Sequence, residues 1–136
     1  MIYRFKIWFK EDQDITRWID IQPHQTFLDL HNAIVQSINF RVDEPSSFYM
    51  SDEKWDKGFE IAKTDMGLDE KDTPVSLMQD GLLSMYINQP KQRFVYVTDF
   101  IEMWTLHIEF FDTVESNSLI TYPNLYKTTG KAFKNL

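Results

Sequence analysis

The sequence has no cysteine. That absence removes disulfides, thiol nucleophiles and cysteine-based zinc sites together, and it fits a reducing compartment. Glycine is scarce: Gly58, Gly67, Gly81 and Gly130 are all there is, and none stands in a spacing that would cradle phosphate. A Gly-x-Ser-x-Gly elbow is missing, as is any serine set beside a histidine in a recognisable local motif, so nucleophilic catalysis is poorly supplied. The three histidines, His24, His31 and His107, include no i, i+4 pair, and neither a metal nor a cofactor is expected. No apolar run approaches the roughly 20 residues needed to cross a bilayer. Charges interrupt the apolar alternation of the first residues, which therefore read as a strand and not as a secretory leader. Cytoplasmic residence is the expectation. The chain shows no internal repeat and no low-complexity segment.

What is present is aromatic and acidic. Aromatics make up 15% and hydrophobic residues 43% of 136 residues, enough for one packed domain without disulfide or metal. The net charge is −7, yet residues 116–136 hold Lys127, Lys131 and Lys134 and no acid, leaving −10 on residues 1–115. Such a body repels phosphate backbones, so direct nucleic-acid binding is not expected. The composition divides the chain into an α+β domain over 1–115 and a basic, aromatic-containing tail over 116–136. Tyr122, Leu125, Tyr126 and Phe133 of that tail are expected to pack on the body or on a partner.

Periodicity supplies the elements. Tyr3, Phe5, Ile7 and Phe9 alternate with Arg4, Lys6, Trp8 and Lys10, a half-buried strand. Ile15, Arg17, Ile19 and Ile21 alternate with Thr16, Trp18 and Asp20 in a second strand, which Pro23 ends. Thr26 and Asp29 form a capping-box-like start for a helix whose stripe is Phe27, Leu30, Ile34 and Ile38, ending near Asn39. Short strands are expected over 48–51 and 59–63, with Trp55 in the turn between them. The breaker-rich 65–74 reads as an exposed acidic loop, and 82–87 as one or two helical turns. Two further strands, 93–100 and 104–111, form a hairpin through Ile101, Glu102 and Met103, although no Gly or Asn serves the turn. This order predicts a two-layer α+β fold, with a mostly antiparallel sheet and the main and short helices on one face, β-grasp-like in topology.

Two groups of residues are candidates for a site. Asp99, Glu102 and Trp104 meet at the hairpin and could line a pocket, although Asp99 reads more economically as a turn residue and Trp104 as core. Trp8 and Trp18 fall on the outward face of their strands as an exposed aromatic pair, and Trp55 joins them as a third candidate for protein contacts or stacking on a ligand. Partial cover of these rings by the basic tail is the structural alternative. His31 reads as a buried histidine hydrogen-bonded to backbone or carboxylate, and His107 with Glu109 as an exposed cross-strand pair. The favoured function is a non-enzymatic binding or adaptor domain with a protein partner. The alternatives are a small-ligand-binding protein or hydrolase at Asp99, Glu102 and Trp104, and an acidic mimic of nucleic acid.

Three segments carry a family likeness: Ile2 to Ile7, TFLDLHNAIVQSINF from Thr26 to Phe40, and YVTDFIEMW from Tyr96 to Trp104. Through them the chain resembles the plasmid pRiA4b open-reading-frame-three-like family, also labelled a mobile-element passenger family. In that pattern Asp99, Phe100 and Trp104 match. Ile101 stands in place of Gly, Glu102 in place of Asp, and Leu106 in place of His, with His107 one residue late. The cysteine-bearing, Pro-rich C-terminal signature is absent, and a divergent branch is the nearer likeness. The resemblance implies a fold and no transferable activity, and no Arg-rich setting for a catalytic serine supports a recombinase role.

Overall fold

The computed structural model describes residues 1–41, 43–64 and 76–132. The acidic loop expected over 65–74, together with Phe133 and Lys134 of the tail, lies outside the described residues. The chain order is β1 (Ile2–Phe9), β2 (Thr16–Ile21), α1 (Phe27–Ser37), β3 (Ser46–Ser51), β4 (Glu60–Ala62), β5 (Ser76–Leu77), α2 (Leu83–Tyr86), β6 (Arg93–Thr98), β7 (Trp104–Val114) and β8 (Asn124–Thr129). The α+β expectation holds. One eight-stranded sheet runs β5-β4-β3-β6-β7-β1-β2-β8, antiparallel except for β4 with β5. The β1–β2 hairpin followed by α1 is the layout anticipated for a β-grasp-like chain, while β7, the other neighbour of β1, runs antiparallel to it.

Local chemistry explains the main helix. Thr26 Oγ1 accepts from the Asp29 amide at 3.1 Å and the Asp29 carboxylate accepts from the Thr26 amide at 2.9 Å, a reciprocal capping box. Asn39 ends it with φ 58°, in the left-handed region that asparagine tolerates. The buried face of α1, with Phe27, Leu30, Ile34 and Val35, packs on the sheet against Phe5, Ile7, Phe9, Phe48, Phe94, Leu106 and Ile108. Leu83 of α2 joins the same cluster, so both helices share one face of the sheet. Among the described residues no helix is long and apolar enough to cross a membrane.

The tail adds to the sheet. Residues 124–129 form β8 and pair antiparallel with β2, from Thr16 opposite Thr129 to Asp20 opposite Asn124, so the division at 115 marks no break in the sheet. Gly130, at φ 73°, lets the chain turn away where a Cβ would lie 2.7 Å from the Asp14 carbonyl oxygen. Arg17 fastens this edge. Its guanidinium is buried on the core side of β2 and donates to three backbone carbonyls, of Ser37 at 3.0 Å, Thr16 at 2.9 Å and Thr129 at 2.8 Å.

Candidate functional site

Asp99, Glu102 and Trp104 lie together in sequence but are engaged separately. Asp99 sits at φ 59°, a conformation that Asp adopts more readily than most residues, and its carboxylate accepts from the amides of Ile101 at 3.1 Å and Glu102 at 3.3 Å. That is how the hairpin turns without glycine. Glu102 is exposed, and Trp104 packs edge-on against Phe9 and Phe40 at 6.0 and 5.4 Å between ring centres. The three serve the turn and the core. None of them lines the clefts described below.

The tryptophans come together elsewhere. Period 2 in β1, β2, β6, β7 and β8 sends one set of side chains to the helices and the other to the uncovered face of the sheet. Register then orders that second set in rows. Arg93, Glu109, Lys6, Trp18 and Lys127 stand opposite one another across β6, β7, β1, β2 and β8. The adjacent row runs Val95, His107, Trp8, Thr16 and Thr129. Trp8 and Trp18 are therefore diagonal neighbours and do not form the mutual ring pair that their parity suggests. Lys6 bridges them, with Nζ 5.4 Å from the ring centre of each. Trp18 packs edge-on against Phe111 at 4.8 Å, and Lys127 approaches it at 6.0 Å. β8 thus flanks Trp18 as a neighbouring strand.

Trp55 arrives from the β3–β4 connection. The Asp52 carboxylate accepts from the amides of Lys54 and Asp56, curling this loop. Gly58 closes it, donating to the Met50 carbonyl at 2.7 Å where a Cβ would come within 2.8 Å of the same oxygen. The loop sets Trp55 flat on His107, 3.9 Å apart and 5° from parallel, and edge-on to Trp8 at 5.5 Å. The Arg93 guanidinium lies 4.5 Å from the Trp55 ring centre and donates to the Glu53 carbonyl. His107 and Glu109 share this face as the sequence indicates, with different partners: His107 stacks on Trp55, and Glu109 pairs with Arg93 at 3.6 Å.

Two clefts border the face at the 89–91 turn. One of about 840 Å³ lies between residues 51–56 and 89–93, and one of about 480 Å³ between Tyr3, residues 87–91 and residues 110–113. Lys91 lies between them, bonded to the Phe111 carbonyl at 3.0 Å with Nζ 4.2 Å from that ring's centre. At the β8 end, Arg4 holds Asp20 through two bonds of 2.8 and 2.9 Å and stacks on Tyr126 at 3.5 Å. Sequence reasoning missed Arg4, Lys6, Arg93, Phe111, Tyr126 and Lys127 as parts of one surface. The parity of Arg4 and Lys6 with Trp8 was the available signal; the contributions of β7 and β8 needed the register.

His31 is fully buried as expected, and its Nδ1 lies 2.7 Å from the hydroxyl of a tyrosine, Tyr96. Burial holds the Tyr96 phenol well above its ordinary range, so it stays un-ionised in this polar link between α1 and β6. Among the described residues no three His, Asp or Glu side chains gather as a metal site would.

His107 gives this face a pH dependence. Burial first, then the charges of Lys10 and Arg93, push its imidazole below the usual value of about 6.5. The folded state therefore disfavours the imidazolium, and the stability present above the unfolded pKa is lost as pH falls through the lowered folded value. Between pH 7.5 and 5.5 the urea midpoint of the native chain should fall more than that of His107→Gln. Parallel midpoints across that window would contradict this.

The family profile described as plasmid pRiA4b ORF-3-like protein matches residues 1–134. The chain belongs to that family. No curated protein matches it significantly. Among solved structures it is similar to a protein of unknown function from Methanosarcina mazei Go1, with a TM-score of 0.80, 22% identity, and coverage of 97% of this chain and 71% of that one. At that identity the likeness shows the fold. Leu106 is buried in the core, whereas His107 faces the aromatic surface.

Proposed function

We propose that the protein is a non-catalytic binding domain that engages a protein partner through the uncovered face of its sheet. One observation carries this reading: Trp8, Trp18 and Trp55, each half-buried, converge there with His107, Phe111 and the cations that contact them. Trp, Tyr and Arg are the residues that anchor interfaces, because they combine large contact area with a polar or charged handle. The geometry at Asp99, Glu102 and Trp104 favours architecture over a pocket, since the Asp99 carboxylate is occupied by turn amides and Trp104 by two phenylalanines.

A photo-crosslinking amino acid at Thr129, exposed on this face in the row of Trp8, should capture a discrete partner in the native host. The same group at Gln36, an exposed position of α1 on the opposite side, should not. Trp8→Ala combined with Trp18→Ala, checked for folding by circular dichroism, should reduce the crosslinked product by about tenfold or more, as for loss of interface anchors. Equal capture from both positions, or capture indifferent to the tryptophans, would refute the assignment.

A further inference from the structure

We infer that the segment received by this face is acidic: a run of protein chain rich in Asp and Glu, with carboxylates meeting Lys6 and Lys127 and apolar side chains meeting the indole edges. The inference rests on the reading of the face as a contact surface and adds the chemistry of what it contacts.

The argument begins with the pairing of charges. Two of the face's acids are committed to arginines: Asp20 to Arg4 through two short bonds, and Glu109 to Arg93 at 3.6 Å. Glu60, farther along the sheet, accepts from Ser47 at 2.7 Å. Glu109 is also the ladder neighbour of Lys6, yet its ion pair is with Arg93. Among the described residues neither Lys6 nor Lys127 has an acid within ion-pair distance. Both ammonium groups instead approach indole rings, Lys6 between Trp8 and Trp18 and Lys127 beside Trp18. Such contacts fix a lysine head in place while leaving its donors unused.

A chain with a net charge of −7 has therefore placed two lysines without acid partners among half-buried tryptophans on one face. Charge complementarity of this kind selects partners and steers their approach more than it adds raw affinity. The two lysines lie on β1 and β8, the strands that flank β2, one on either side of Trp18, so carboxylates flanking one apolar residue can reach both.

Single-stranded nucleic acid offers negative charge as well, but the ring geometry disfavours it. Base stacking needs open ring faces. Trp55 is engaged by His107 at 3.9 Å and by Arg93 at 4.5 Å, and Lys6 approaches both of the other rings. A base would have to displace these side chains, whereas a carboxylate meets the lysine ammonium groups without opening the rings.

The test titrates the intact protein, followed by tryptophan fluorescence and calorimetry, with four probes: a short Asp/Glu-rich peptide carrying one Leu and one Phe, its Asn/Gln isostere, its Lys-rich counterpart, and an oligothymidylate of similar length. The acidic peptide should bind, more weakly as salt rises, and the other three should bind at least tenfold less tightly or not at all. Lys6→Gln with Lys127→Gln should weaken acidic-peptide binding by about tenfold, as for loss of complementary charges at an interface. Equal binding of the isostere, or no effect of the double lysine variant, would overturn the acidic selectivity. Failure of the acidic peptide, with crosslinking at Thr129 still succeeding, would overturn it too, while the contact surface itself stood. Tighter binding of oligothymidylate would overturn it in favour of nucleic acid.

Discussion

Phe27→Ala should lower the free energy of unfolding by about 3–5 kcal/mol, the largest effect expected from a single truncation in this fold. Phe27 is the first residue of α1 and has no solvent exposure. Its ring packs at 5.1 Å on Phe48, 5.3 Å on Tyr86 and 5.7 Å on Phe94, binding α1 to β3, β6 and α2 at once. A Cβ added at Gly81 would lie 3.2 Å from the ring, so even the approach of the α2 connection is shaped around it. Phe48 and Phe94 belong to hydrogen-bonded strands, which limits collapse into the space left behind. The higher helix propensity of alanine returns only about half a kcal/mol. Urea denaturation should show a lower midpoint with an unchanged slope, and a loss under about 1 kcal/mol would show that the site collapses after all.

Arg17→Met should cost about 2–3 kcal/mol, because a buried cation that donates to three carbonyls is exchanged for a side chain that can donate to none. Burial pushes the Arg17 guanidinium below its usual value, so relief of that desolvation offsets part of the loss. The distribution of the effect is the sharper test. Ser37 lies at the last turn of α1, where carbonyls lack helical partners and a cation complements the dipole. Thr129 lies at the end of β8. Hydrogen exchange should therefore accelerate at the amides of β8 and the last turn of α1 before it does in β6 or β7. Since β8 carries Tyr126 and Lys127 to the proposed contact face, acidic-peptide binding should weaken in the same variant. Unchanged protection of β8 would refute the linkage.

Both substitutions bear on how much of the protein can be read along the chain. Alternation in residues 2–9 reports a strand and its two faces, since side-chain direction is a local property of extended backbone. Thr26 and Asp29 report the start of α1, because a capping box spans four consecutive residues. The Asp99 turn was legible as a turn but not in its geometry, in which carboxylate bonds and a positive φ replace the missing glycine. The outward parity of Trp8 and Trp18 was legible too. Their relation was not: parity sets a side and leaves open which residues stand opposite, and here register puts Lys6 against Trp18 and Thr16 against Trp8.

By itself, then, the sequence determined the α+β class, the family, the faces of the early strands and the outward parity of Trp8 and Trp18 in an acidic chain. All of these follow from periodicity, composition or short spacing. Only the tertiary structure decided the strand order, the joining of the 124–129 segment to β2, the folding of the 52–57 loop onto the sheet, and the separation of Trp104 from the other three tryptophans. Each of these depends on contacts between distant residues, whose pairing is fixed by the packing of the whole sheet and leaves no local trace in the chain.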